Sequence, residues 1–304
     1  MAHHHHHDHD GSNVSLKLIV ASAATAAFVV AELVIGWLAD SLALVGDALH
    51  NFTDVLALLI ALFAVRLERR APTTEKSYGY HRAGILAAFI NAGALVAFTF
   101  FIFGEAASRF RSPHLPDSFL MIVTASFAIV LNGAITLALH REGKHDVNIR
   151  SAVMHMLGDA ISSAGIVGAA LLIRKTGSPL WDPAVSIAIA VLILWSSWGI
   201  LTETVNLLLE GTPSGIDPEK VSQSIAAIDG VNGVHHLHIW ALGPSRPALS
   251  CHLMVGDVAV KTTGSLLDRV TEMLAHDYGI AHATIQFEFA NCDLNDPYCV
   301  PYSR

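Results

Sequence analysis

Six predominantly apolar stretches, residues 16–38, 42–65, 83–108, 118–139, 149–173 and 183–208, dominate this 304-residue chain. Each is long enough to cross the ~30 Å hydrocarbon core of a bilayer as a helix, which takes roughly 20 residues. Inside lipid every backbone polar group needs a partner within the segment, so runs of this kind form helices. Composition points the same way, because 14% of residues are charged, against roughly 25% in a soluble domain. The chain reads as a polytopic membrane protein with six transmembrane helices.

An even number of spans leaves both termini on one side, and the loop charges choose that side. The loop between spans two and three holds Arg66, Arg69, Arg70, Lys76 and Arg82, and that between spans four and five holds Arg141, Lys144 and Arg150. The opposite loops offer Arg109, Arg111, Arg174 and Lys175. The positive-inside rule therefore predicts cytoplasmic N- and C-termini. The first apolar stretch runs on into a full span and lacks the layout of a cleaved signal peptide.

Residues 1–15 form a His-rich cytoplasmic tail, 16–211 the six-helix transmembrane domain, 212–290 a soluble domain and 291–304 a C-terminal tail. The opening MAHHHHHDHD fits either an expression tag or a disordered, weakly metal-gathering tract. In 212–290, Asp217 and Pro218 are helix-opening residues. VHHLHIWAL and ALSCHLMV alternate as strands around the turn-like GPSRP, GSLLDRVTEMLAHDYG is an amphipathic helix, and ATIQFEF is a last strand. The order αββαβ predicts a small α+β open-sheet domain of about 80 residues, a size that calls for docking or dimerisation. Net charge is −8 and no basic stripe appears, which argues against a nucleic-acid partner. Three cysteines imply no disulfide framework.

The functional question is posed by ionisable residues in the spans. Span two contains GDALHNFTD, with Asp47, His50 and Asp54 in the middle of an apolar run. A carboxylate at a bilayer centre costs ~3 kcal/mol on insertion scales. Span five repeats the pattern in HMLGD, placing His155 and Asp159 at the same i, i+4 spacing, which puts both side chains on one helix face. Two such helices facing each other would deliver two nitrogens and two oxygens to one point, a tetrahedral site suited to Zn2+. A purely structural His–Asp pair is the bland alternative, but interhelical polar contacts average only ~0.6 kcal/mol, less than one aspartate costs. Asp47, at i−3 from His50, is expected to orient that ring as an acceptor. Glu32 in span one fits either a proton route or a bond to a neighbouring helix.

At these residues the chain resembles the cation diffusion facilitator family, in its zinc-transporting subgroup of bacterial cation efflux proteins. The motifs are SLALVGDALHNFTD, SYGYHRAGILAAFINA and SAVMHMLGDAISS in the spans, with VHHLHIWAL and HATIQFE in the tail. The resemblance implies six helices bearing a cytoplasmic ferredoxin-like αββαβ domain, a homodimer, and a bacterial inner-membrane location. It also implies export of divalent metal against inward proton flow through His50, Asp54, His155 and Asp159. His/Asp pairs resemble the zinc group, with Cd2+ or Co2+ as alternative cargo, and ligand softness agrees. The family's cytoplasmic domain often carries regulatory zinc, for which His235, His252, His282 and Glu288 are the candidates, with His236 and His238 as further options. Strand alternation places His236 and His238 on one face and His235 on the other. Cys292 and Cys299 resemble a tail thiol pair of some relatives, though spaced more widely than structural zinc ligands. Gly84 stands where the family often has Glu, and Lys76 and Tyr80 replace histidines of a loop metal site, which is therefore not expected.

No organic cofactor is implied. An intramembrane zinc protease would need an HExxH-type motif with a general-base glutamate; Asn51, Phe52 and Thr53 lie between His50 and Asp54, so an enzyme is not expected. A metal sensor or store that binds without moving ions is the other rival. Mid-membrane binding favours transport over it.

Overall fold

A computed structural model describes residues 25–142, 147–256 and 260–289. It contains the helices α1 (Thr25–Leu38), α2 (Leu42–Glu68), α3 (Ala83–Arg111), α4 (Ser118–Glu142), α5 (Val147–Thr176) and α6 (Trp181–Leu208). Helices α2 to α6 each contain a segment long and apolar enough to cross a membrane, and α1 is the shorter described part of the first apolar stretch. Leu58, Leu59, Leu62, Phe63, Phe100, Phe101 and Val130 are exposed on these helices, as a lipid-facing surface requires. A small domain follows, with α7 (Pro218–Ala226), β1 (Gly233–Gly243), β2 (Arg246–Met254), α8 (Val260–Tyr278) and β3 (His282–Glu288). The six-helix membrane domain and the appended αββαβ domain are the architecture the residue patterns imply.

Packing divides the chain into two compact units. Among the described residues, one comprises those up to Leu59 with those of Asn91–Trp198, the other those of Ile60–Ile90 with those from Gly199 onward. In the first unit, Ala43, Leu44, Met121, Ala125, Ile166 and Ala170 form a buried cluster among α2, α4 and α5. Small residues there allow close helix approach, the main source of helix association in lipid.

Helix α2 begins with a cap from far away in the chain. Asp182, at the start of α6, accepts from Ser41 Oγ at 2.6 Å, Leu42 N at 2.7 Å and Ala43 N at 3.3 Å. The two backbone N–H groups are orphan donors of a helix N-terminus, and the carboxylate also meets the positive end of the helix dipole. Arg109 lies 3.6 Å from Asp182 and also pairs with Asp40 at 2.7 Å and Glu105 at 3.2 Å.

In the second unit, Asp217 caps α7 by accepting from Glu219 N and Lys220 N, with Pro218 as the first helical residue. Val221 and Ile225 of α7 and Leu266, Val270 and Leu274 of α8 recur at helical spacing and pack on Leu237, Ile239, Leu249 and Leu253 of the strands. The sheet order is β1-β2-β3, with β1 antiparallel and β3 parallel to β2. Helix α8 stops at Gly279, whose φ of +67° only glycine adopts without strain. Ala241 of β1 is buried with Ile85 and Leu207, so the sheet packs on the helix segments of its own unit.

Candidate metal centres

The i, i+4 pairs of α2 and α5 face one another. His50 Nε2 lies 3.7 Å from Asp54 Oδ2 and 3.8 Å from Asp159 Oδ1. His155 Nε2 lies 3.4 Å from Asp54 Oδ2 and 3.7 Å from Asp159 Oδ2. Each imidazole thus contacts both carboxylates, and the two rings meet edge to face with centroids 5.9 Å apart. Ligands about 2.0–2.1 Å from a tetrahedral ion stand roughly 3.3–3.4 Å from each other. The four observed contacts equal that separation or exceed it by a few tenths of an ångström, and His50, His155 and Asp159 offer ligand atoms all within 4.8 Å of one another. Asp54 Oδ2, buried and without a hydrogen-bond partner, has a lone pair that a cation at the centre would engage. Two carboxylates and two neutral imidazoles would neutralise a divalent ion in a low-dielectric setting where an unpaired charge is very costly.

Asp47 has a different role from the one its spacing suggests. No hydrogen bond joins it to His50; instead Ser162 Oγ donates to its Oδ1 at 2.6 Å and Ser163 Oγ to its Oδ2 at 3.3 Å. It fastens α2 to α5 next to the four-residue ring, and His50 Nδ1 is left without a hydrogen-bond partner. Helical geometry is the reason: Asp47 at i−3 shares the α5-facing side of α2, where two hydroxyls meet it first. Ser162 and Ser163 follow Asp159 at i+3 and i+4 and so lie on its face, which is the one signal in the sequence that could have pointed to them. Glu32 is fully buried; among the described residues neither carboxylate oxygen makes a hydrogen bond of ordinary geometry, and the side chain of Asn51 on α2 is close enough to interact with it.

The second cluster lies on the sheet. His235 on β1 stands opposite His252 on β2. Glu288 of β3 contacts both, with His235 Nε2 3.0 Å from its Oε2 and His252 Nδ1 2.9 Å from its Oε1. The carboxyl of Glu288 is held below its ordinary range: burial pushes it up, but the Gln286 amide donor and then the two histidines outweigh that. Burial pushes the His252 imidazole down, helped by His236 and His235 and opposed by Glu288.

His236 joins this cluster, contrary to strict alternation. The register slips by one residue between His235 and His238, and His236 takes a φ of +50°. This bulge turns its ring onto that of His252, with centroids 4.6 Å apart and planes 27° apart, and to within 5.2 Å of His235. A bulge places two residues opposite one, which is how a residue reaches the face its number would deny it. His235, His236 and His252 offer ligand atoms all within 4.8 Å of one another. His235 Nδ1 and His236 Nδ1 are buried without hydrogen-bond partners. His238 is exposed.

His282 does not join them. It pairs with Ala248 at the opposite end of β3 from Glu288, about 20 Å away along the strand, and its ring packs edge-on against Tyr78 at 5.7 Å. Cys292, Cys299 and the His-rich start lie outside the described residues.

Comparison with known proteins agrees over nearly the whole chain. A family model described as the cation efflux transmembrane domain matches residues 18–209, and one described as the cation efflux protein cytoplasmic domain matches residues 213–290. The zinc transporter ZitB of Pectobacterium atrosepticum is 40% identical over 287 residues, covering 94% of this chain and 88% of that protein. The metal cation efflux system protein CzcD of Cupriavidus metallidurans is 37% identical, covering 93% and 88%. A cadmium, cobalt and zinc/H(+)-K(+) antiporter of Bacillus subtilis is 34% identical, covering 86% and 85%.

Proposed function

The chain belongs to the cation efflux family, and on that premise we propose that it exports Zn2+ from the cytoplasm in exchange for protons. Cd2+ and Co2+ are alternative cargo. The observation that carries this reading is the ring of His50, Asp54, His155 and Asp159, whose facing atoms lie 3.4 to 3.8 Å apart. No general base accompanies the ring at the positions a zinc protease requires, so it is suited to hold an ion and let it go.

In the proposed cycle, Zn2+ reaches the ring from the cytoplasmic side and takes the Nε2 lone pairs of His50 and His155 with one oxygen from each aspartate. Protons on those groups leave, because ligands bind metal only when deprotonated. Rocking of the helices opens the ring to the other side, where protons compete the ion away. Asp47, held by Ser162 and Ser163, keeps α2 and α5 in register so that two half-sites act as one. The protein works as a homodimer in a bacterial inner membrane, with both termini cytoplasmic.

The His235–His236–His252 cluster is read as a regulatory Zn2+ site on the cytoplasmic domain. Glu288 bonds Nε2 of His235 and Nδ1 of His252, the arrangement by which a carboxylate orients metal-binding imidazoles. Its place is therefore behind the ligands. The test of transport is Zn2+ flux in proteoliposomes across an imposed pH gradient. Zn2+-dependent proton movement that disappears in His50→Ala supports the reading; flux that persists in this variant overturns the four-ligand assignment.

A further inference from the structure

From the end of α2 to the start of α3 the chain carries five arginine and lysine side chains, Arg66, Arg69, Arg70, Lys76 and Arg82. The protein itself engages two of them. Arg82 pairs with Glu210 at 3.1 Å, and Lys76 Nζ lies 5.8 Å from the centre of the Tyr80 ring. Arg66, Arg69 and Arg70 are exposed, and none of them makes an ion pair among the described residues. The one carboxylate between them turns the other way: Glu68 Oε1 faces α3, where a Cβ at Gly84 would lie 2.9 Å from it.

The three arginines continue a lipid-facing stripe. Leu62 and Phe63 are exposed on α2, and Arg66 follows them at i+4 and i+3, on the same helix face. Arg69 and Arg70 follow Arg66 at i+3 and i+4. Helix α2 ends at Glu68, but Arg70 N donates to the Leu67 carbonyl at 3.0 Å, so the winding continues past the helix end. A face that is apolar up to Phe63 and cationic one turn later, about 5 Å on, leaves the hydrocarbon there and brings the guanidinium groups to headgroup depth. The side of the membrane follows from packing within the second unit. Pro244 of the β1–β2 turn lies against Gly84, and Arg246 Nη1 is 3.1 Å from His81 Nε2. This end of α2 is therefore on the side of the αββαβ domain, the cytoplasmic side. The cytoplasmic leaflet is the one whose anionic lipids attract basic segments next to a transmembrane helix.

We propose that Arg66, Arg69 and Arg70 form a docking surface for the phosphate of an anionic phospholipid headgroup in the cytoplasmic leaflet. Guanidinium groups suit that guest because their paired N–H groups match two phosphate oxygens at once. A zwitterionic lipid carries the same phosphate, but its amine cancels the net attraction. The docked headgroup anchors the cytoplasmic end of α2, the helix that carries His50 and Asp54. The surface is separate from the four-residue ring, and the inference stands whichever ion is carried.

The test follows the unfolding midpoint of the full chain in neutral-detergent micelles as phosphatidylglycerol is added. Phosphatidylglycerol should raise the midpoint, whereas equal amounts of phosphatidylcholine or inorganic phosphate should leave it where it was. Attraction falls about fivefold for each arginine removed. In Arg66→Gln/Arg69→Gln/Arg70→Gln the phosphatidylglycerol needed for half the effect should thus rise on the order of a hundredfold. A folded triple variant that responds as the wild type does overturns the proposal. So does a wild type that phosphatidylglycerol stabilises no better than phosphatidylcholine. Equal stabilisation by inorganic phosphate would make a soluble anion the occupant and overturns the lipid assignment. If the triple variant does not insert or fold, Arg69→Gln/Arg70→Gln decides, with an expected shift of about thirtyfold; no shift overturns the proposal.

Discussion

His155 Nε2 stands 3.4 Å from Asp54 Oδ2, the shortest of the four contacts that close the intramembrane ring. The contact joins α5 to α2 through the two residues of the ring most open to their surroundings, with side chains 41% and 28% exposed. His50 and Asp159, by contrast, are 17% and 5% exposed. Asp54 and His155 are therefore the less buried pair of the four.

His155→Ala is expected to remove one ligand of four and leave the helices folded, because the lost side chain is partly exposed. Apparent Zn2+ affinity should fall by more than the roughly 10–100-fold typical of losing an outer partner. Concentration-dependent flux in proteoliposomes measures it. Wild-type affinity in this variant would exclude His155 from the ligand set.

Asp182 caps α2 across the fold, and Asp182→Ala should lower stability by about 1–2 kcal/mol, the range for losing a helix cap. The loss stays in that range because Arg109 keeps Asp40 and Glu105 as partners. Thermal unfolding in detergent micelles should show a lower midpoint for Asp182→Ala than for Asp182→Asn, which retains an acceptor oxygen. Equal midpoints would argue against the cap.

His236 adopts a φ of +50°, a conformation costing a residue other than glycine roughly 1–2 kcal/mol. A residue kept for stability alone would gain from replacement by glycine. His236→Gly is therefore expected to melt no lower than the wild type while weakening Zn2+ binding at the sheet. Calorimetric titration of full-length protein in a His50→Ala/His155→Ala background isolates that site. Unchanged binding would remove His236 from it.

Packing within the second unit favours glycine at position 84. A Cβ at Gly84 would lie 2.9 Å from Glu68 Oε1 and 3.0 Å from Pro244 Cγ. Glu68 can swing aside, but the proline in the β1–β2 turn cannot. Gly84→Ala should destabilise by about 1–3 kcal/mol, as overpacking does, read as a lowered unfolding midpoint. A midpoint at the wild-type value would mean that the turn yields.

Cys251 is buried on β2, and burial pushes its thiol up to about 12. In a Cys292→Ser/Cys299→Ser background, maleimide at pH 8 should label the protein only after denaturation, since the thiolate is the reactive form. The same shift carries a pH dependence. Above the ordinary value of 9.0 the unfolded chain releases this proton while the folded chain keeps it. The contribution of Cys251 to stability is thus complete below pH 9 and declines as pH rises toward 12. Labelling of the native protein at pH 8 would contradict the shift.

Much of this was legible in the residues for identifiable reasons. The spans, the αββαβ order, the Asp217–Pro218 helix start and the stop at Gly279 depend on local patterns. His50 with Asp54 and His155 with Asp159 were readable because an i, i+4 spacing is itself a statement about one helix face. Asp47 misled because the same spacing rule names a face and not a partner; Ser162 and Ser163 come from another helix. His236 is a candidate by residue type, but alternation assigns it the other face because it assumes an unbroken ladder, and the bulge breaks it. His282 was grouped by residue type, and its place in the parallel register separates it from Glu288.

Sequence by itself determined that this chain lies in a membrane as helices, carries a small α+β domain, and holds two matched His/Asp pairs at helical spacing. Those properties follow from burial cost and helix periodicity, which act over a few neighbouring residues. Tertiary structure alone decided that the two pairs share one ring, that Asp182 caps α2, and that three histidines and Glu288 gather on one face of the sheet. Each of these joins residues far apart in the chain. Which side chain satisfies a buried polar group depends on what the packed neighbours bring within about 3 Å, and no local rule contains that information.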